Sequence, residues 1–135
     1  VHQALTKNEM TVFGGKQVRP NINIKDLVRI YLHFLNNPKI PSGNYNAGFE
    51  NLKIIEIAKL VQKYIPSKIN VKKNNNDPRS YRQDSNKLLK TGFVPKYSVS
   101  DAIEEIKDRY NKKLILINEK CSTVKWMKKI GLDNG

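Results

Sequence analysis

Apolar residues recur along this chain at two spacings, one suited to short strands and one to helices. Met10-Thr11-Val12-Phe13 is a β-branched and aromatic stretch closed by Gly14-Gly15, and Val18 to Ile24 alternates enough to form a second extended segment. Asp26 then falls in the first turn of a helix through Leu35, where Leu27, Val28, Ile30, Tyr31, Leu32, Phe34 and Leu35 leave little polar face. That pattern predicts a helix buried on nearly all sides. Asn36-Asn37-Pro38 ends it, because the residue before a proline is driven out of helical geometry.

Asn44-Tyr45-Asn46-Ala47-Gly48 predicts one short buried strand. Asn51 is placed to cap a helix in which Ile54, Ile57, Ala58, Val61 and Ile65 follow helical spacing until Pro66. Ile69-Asn70-Val71 predicts a strand, Lys72 to Arg82 a polar loop, and Ser85 to Lys90 a short helix with Gly92 as its left-handed cap. Ser98 and Asp101 stand at capping-box spacing for a helix through Tyr110, with Ala102, Ile103 and Ile106 on one face. Leu114 to Ile117 is an apolar run too short to type, and Thr123 to Ile130 predicts a basic helix stopped by Gly131. Strands alternating with helices argue for an α/β or α+β unit.

A chain of 135 residues has room for one small core. No apolar run approaches the roughly 20 residues needed to cross a bilayer, and Val1 to Met10 lacks the charged-then-apolar order of a secretory signal. A soluble protein in the cytoplasm is therefore expected. Cys121 is the single cysteine, so an internal disulfide and a multi-cysteine zinc site are excluded. Neither His2 nor His33 has a second ligand at a useful spacing, and no metal site is expected. The chain opens at Val1 among residues that read as the middle of a domain, which suggests a fragment. Lys and Arg number 25 against 12 Asp and Glu, a formal charge of +13 that predicts attraction to polyanions without choosing among nucleic acid, anionic membrane and phosphorylated small molecules.

Four blocks narrow the choice. Thr11-Val12-Phe13-Gly14, Gln17-Val18-Arg19-Pro20-Asn21-Ile22 and Asp26-Leu27-Val28 come first, followed by Tyr45-Asn46-Ala47-Gly48. Asp77-Pro78-Arg79-Ser80-Tyr81-Arg82-Gln83-Asp84 with Lys87, and Gly92-Phe93-Val94-Pro95 with the Ser98 to Tyr110 helix, complete the series. In this order and spacing they resemble the C-terminal portion of the extended short-chain dehydrogenase/reductase family, the NAD-dependent nucleotide-sugar epimerases and dehydratases. The likeness runs from about Met10 to Tyr110. It implies that 1–110 form a nucleotide-sugar-binding portion, with the peripheral strand and helices of a Rossmann-type sheet, and that 111–135 are a basic C-terminal extension.

By the same resemblance Arg19 would contact the diphosphate, for which a planar, permanently charged guanidinium is suited. Thr11 and Phe13 would line the base pocket. Asp77 and Tyr81 would contact the ribose or diphosphate, the carboxylate accepting and the phenol donating. Asn74 stands where many members carry a second arginine, which leaves Arg79 or Arg82 to supply that charge, and Asn23 stands where a histidine is frequent. Asp26 matches the family pattern but reads as a helix-start residue.

NAD would be held by a half absent from this chain, since no G-x-G turn occurs to bring backbone amides to a pyrophosphate. The catalytic Tyr/Lys pair is also missing: Tyr64 and Lys68 have the spacing, but Pro66 between them breaks the helix that would align them. The chain alone is thus expected to be inactive. A UDP-sugar 4-epimerase-like activity of the whole protein is favoured over a 4,6-dehydratase. Expected partners are a nucleoside-diphosphate sugar, the N-terminal Rossmann portion of the same protein and a second copy in a homodimer, with no membrane. A small basic nucleic-acid-binding module is the alternative of another class. Lys112, Lys113, Lys120, Lys125, Lys128 and Lys129 around Trp126 are read as a solvated or partner-facing tail rather than such a site.

Overall fold

A computed structural model describes residues 1–73, 79–115 and 121–132. Helix α1 (His2–Lys7) leads into strand β1 (Glu9–Phe13), then β2 (Val18–Asn21), α2 (Ile24–Asn36), β3 (Glu50–Lys53), α3 (Ile54–Tyr64), β4 (Lys68–Lys72), α4 (Asn86–Leu89), α5 (Val99–Asn111) and α6 (Thr123–Lys129). The chain is mixed α/β. β1 pairs in parallel with β4, Met10 opposite Ile69 and Val12 opposite Val71, whereas β2 pairs antiparallel with β3, Arg19 opposite Leu52.

Two cores follow from these pairings. Met10 and Val12 point to the same face of β1, as alternate strand residues must, and meet Ala58, Val61 and Ile65 of the α3 side, Ala4 of α1 and Ile103 of α5. The second core joins Ile30 of α2 to Leu88 of α4 and Phe93, with Ile22, Phe34, Tyr45, Ala47 and Phe49 around them. Phe49 and Phe93 stack there with ring centroids 5.8 Å apart.

The start of α2 is tied down by buried polar groups. Asn23 caps the helix, accepting from the Lys25 N–H at 3.0 Å and donating to the Ser98 carbonyl at 3.2 Å. Asp26 is fully buried; its carboxylate pairs with the Arg29 guanidinium and accepts the backbone N–H groups of Lys96 (3.0 Å) and Tyr97 (2.9 Å). At the far side Lys25 lies 2.6 Å from Glu105 of α5. That hydrogen bond raises the lysine above its ordinary pKa and holds the Glu105 carboxyl below the usual carboxylate range.

The structure departs from the sequence-based expectations in several places, with α1 and β3 among the elements not foreseen. α2 is buried on one side only: Ile24, Val28, Tyr31, Leu32 and Leu35 are all more than half exposed, because no described element packs over them. Residues 44–48 form no strand. Lacking a strand neighbour, Gly48 instead exchanges both of its backbone groups with the buried Ser85 hydroxyl, at 2.9 and 3.2 Å. Asn51 lies within β3 and is not the cap of α3, which begins after Lys53 with the Glu56 carboxylate accepting the Lys53 N–H at 2.7 Å. α3 ends at Tyr64 and Lys68 opens β4, so the Tyr64/Lys68 pair is split between two elements.

Candidate functional site

β1 and β2 are joined by a tight turn that glycine makes possible. Gly14 and Gly15 have φ of 71° and 95°, and a side chain on Gly15 would meet Ile55 Cβ at 3.2 Å and Val12 Cγ1 at 3.3 Å. Gln17 locks the turn, accepting from the Gly15 N–H at 2.7 Å and donating to the Phe13 carbonyl at 2.8 Å. The carbonyls of Gly15 and Gln17 in turn accept from Ile55 and Ile54, satisfying otherwise orphaned N–H groups at the start of α3. β2 therefore leaves a rigid corner, and Arg19 is its second residue.

The loop after residue 78 is fastened to the same small sheet. The Val18 N–H donates to the Ser80 hydroxyl at 2.9 Å, and the Tyr81 N–H donates to the Val18 carbonyl at 3.3 Å. Further on, the Asn51 side-chain amide pairs with both backbone groups of Gln83, at 2.9 and 3.1 Å. These bonds bring Arg79 and Tyr81 to Arg19 across some 60 residues of sequence. The Arg19 guanidinium donates to the Arg79 carbonyl at 2.5 Å and sits 4.8 Å from the centroid of the Tyr81 ring. The Tyr81 ring is itself 53% exposed, so the cluster opens to solvent.

The same guanidinium nitrogen also donates to the Val18 carbonyl at 2.9 Å, so the cation is oriented by two backbone carbonyls and an aromatic face, an arrangement that fixes the plane a phosphate would meet. Arg79 and Arg82 are both exposed on the same loop.

The remaining residues singled out from the sequence lie elsewhere or are not described. Phe13 ends β1 on the other sheet, more than half exposed, with Lys72 Nζ 5.8 Å from its ring centroid. Thr11 borders the cleft between α1 and α3, and its N–H donates to Gln3 at 2.9 Å. Asp77 and Asn74 are outside the described residues. The positioning residues Ser80, Asn51, Gln83 and Gln17 were not assigned such roles from the sequence. Only the side-chain-to-backbone bonds they make across folded distances reveal them. Among the described residues no group of three or more His, Cys, Asp or Glu could hold a metal ion.

No protein-family model matches the sequence, and no curated protein is significantly similar to it. Solved structures are similar in fold. ADP-L-glycero-D-manno-heptose-6-epimerase from Helicobacter pylori superposes with a TM-score of 0.61 at 21% identity, over 76% of this chain and 33% of that one. RMD from Pseudomonas aeruginosa, solved in complex with NADPH, superposes with a TM-score of 0.65 at 21% identity, over 82% of this chain and 38% of that one. The chain thus spans about a third of one protein and somewhat more of the other, and what it shares with them is the fold: a mixed α/β unit found as one part of a larger chain.

Proposed function

We propose that this chain is the nucleotide-gripping portion of an NAD-dependent nucleotide-sugar epimerase of the extended short-chain dehydrogenase type, UDP-sugar 4-epimerase-like, with a 4,6-dehydratase as the nearest alternative chemistry. The observation that carries this reading is the Arg19–Tyr81 stack with Arg79 against it, assembled from two sequence blocks that resemble that family's substrate-binding motifs. The fold shared with an epimerase supports it.

Arg19 would grip the diphosphate through paired, charge-assisted hydrogen bonds, and Arg79 and Tyr81 would close on the same oxygens. Asp77 would receive a ribose hydroxyl. The residues present do not fit a nicotinamide cofactor, for want of a glycine-rich turn at a helix N-terminus, so no hydride step is assigned to this chain. Its share of catalysis is positioning: holding the non-reacting nucleotide restricts the sugar to the reactive pose. The cofactor and the Tyr/Lys chemistry would come from an N-terminal Rossmann portion, which would also cover the exposed face of α2, in a homodimeric whole protein.

Titration of the chain with UDP, and in parallel with a random oligonucleotide at moderate salt, tests the proposal. Saturable UDP binding that is lost in Arg19→Ala is expected. Tight, steeply salt-dependent oligonucleotide binding with no effect of UDP would instead identify a basic nucleic-acid module.

A further inference from the structure

α6 has a pattern for which nucleotide gripping has no use. At 3.6 residues per turn, Trp126, Ile130, Met127 and Val124 fall on one arc of about 160° that also holds Thr123, and Lys125, Lys128 and Lys129 on the opposite arc of about 100°. Ile130 continues the helical bonding, its N–H donating to the Trp126 carbonyl at 3.1 Å, before Gly131 turns the chain away with φ of 75°. The apolar arc faces solvent: Val124 is 65% exposed, Ile130 48% and Met127 41%. All three lysines are exposed, no α6 residue is buried in either core, and residues 121–132 include no acidic side chain.

The distribution of the side chains decides what could cover this face. A purely solvated helix has no use for an exposed arc of Val, Met, Ile and Trp. A single-stranded nucleic-acid site would place the aromatic among the cations, so that a base could stack while its phosphate is paired. Here Trp126 belongs to the apolar arc with Val124, Met127 and Ile130, and Lys129 at the border between the arcs lies over its ring, Nζ 5.9 Å from the centroid. An apolar arc holding a tryptophan, backed by a polar arc of lysines alone, is the pattern of a helix lying in the plane of a membrane interface. Its charge, and the +13 of the whole chain, complement an anionic headgroup layer.

We propose that α6 is an interfacial helix that seats the Val124–Trp126–Met127–Ile130 face in an anionic lipid surface, with Lys125, Lys128 and Lys129 held at the headgroups. The expectation of no membrane partner rests on the lack of a spanning segment, and a helix lying on the surface needs none. This inference is independent of the nucleotide site.

Trp126 is the only tryptophan, so its emission reports on α6 alone. The full chain would be mixed with phosphatidylcholine vesicles with and without phosphatidylglycerol, and followed by co-sedimentation and Trp126 fluorescence. Co-sedimentation with the anionic vesicles is expected, together with a blue shift of Trp126 and quenching by brominated acyl chains. Val124→Ser/Met127→Ser/Ile130→Ser should abolish the blue shift and weaken partitioning by about tenfold or more. Lys125→Gln/Lys128→Gln/Lys129→Gln should weaken binding to anionic vesicles by roughly a hundredfold. Neither variant touches a core residue, and an unchanged unfolding midpoint would verify that. Absence of binding, co-sedimentation without a Trp126 shift, equal binding by the serine variant, or a Trp126 shift with an oligonucleotide in place of vesicles would each overturn the proposal.

Discussion

Asp26 and Tyr97 stand 71 residues apart in sequence, and the buried Asp26 carboxylate accepts the Tyr97 backbone N–H at 2.9 Å. The same carboxylate takes the Lys96 N–H and pairs with Arg29, so one side chain joins the first turn of α2 to the strap that leads into α5. Asp26→Ala leaves two backbone donors and a guanidinium without their acceptor. A loss of about 3–5 kcal/mol in unfolding free energy is expected, read by urea denaturation, with Asp26→Asn also destabilising because an amide offers a single acceptor oxygen and no charge.

Arg19 and Tyr81 make a prediction about binding rather than stability. In a UDP titration Arg19→Ala should raise Kd by about tenfold or more, and Arg19→Lys should recover only part of it, because an ammonium cannot make the paired contacts of a guanidinium. Tyr81→Phe should retain the stack on Arg19 but lose whatever the phenol donates. Calorimetry on the three variants separates the two contributions, and identical affinities throughout would remove Arg19 from the site.

Gly48 is confined by its neighbours. A methyl group there would lie 2.9 Å from Pro20 Cβ and would also press on the Gln83 side chain. The pyrrolidine ring cannot turn aside, so Gly48→Ala should cost about 1–3 kcal/mol by overpacking and displace the Asn51–Gln83 pairing that holds the binding loop. Thermal unfolding measures the first effect, and weakened UDP affinity the second.

Ser98 caps α5, accepting the Asp101 N–H at 3.1 Å while its own N–H and hydroxyl donate to the Asp101 carboxylate at 2.7 and 2.6 Å. The Ser98 hydroxyl, and then its backbone N–H, hold the Asp101 carboxyl below its ordinary value. A carboxyl lowered in this way stabilises the fold fully above its unfolded pKa, and that stabilisation fades as pH falls through the lower folded value. Ser98→Ala should cost about 1 kcal/mol near neutrality. The difference between variant and parent should shrink as the pH is taken down through the acid range, which unfolding at a series of pH values will show.

The uncovered side of α2 should make the chain self-associate. Val28, Tyr31, Leu32 and Leu35 form a contiguous apolar stripe at helical spacing. Sedimentation velocity should show concentration-dependent association that Val28→Lys/Leu35→Lys suppresses. A strictly monomeric parent chain at high concentration would show that the stripe is tolerated in water.

The elements with strong local signals were legible without coordinates. β1, β4, α5 with its Ser98–Asp101 capping box, and α6 before Gly131 all follow from periodicity, caps and glycine, which act within a few residues of where they are written; α4 follows too, but it is capped by Lys90, and Gly92 takes its φ of 90° two residues later. The strand assigned to 44–48 failed because a strand needs a neighbour, and pattern alone does not say whether one is present. Asn51 misled for a related reason: asparagine serves equally as a cap or as a side-chain partner for a distant backbone, and here Gln83 claims it.

The candidate site divides in the same way. Arg19, Arg79 and Tyr81 were nameable as residue types in recurring blocks, since charge and aromaticity belong to the side chain. That Arg19 lies over the Tyr81 ring, while Phe13 and Thr11 remain on β1 in a separate sheet, was settled by the folded chain. The reason is physical: the Val18–Ser80, Val18–Tyr81 and Asn51–Gln83 hydrogen bonds join residues more than 30 positions apart, and no local preference carries information over that distance.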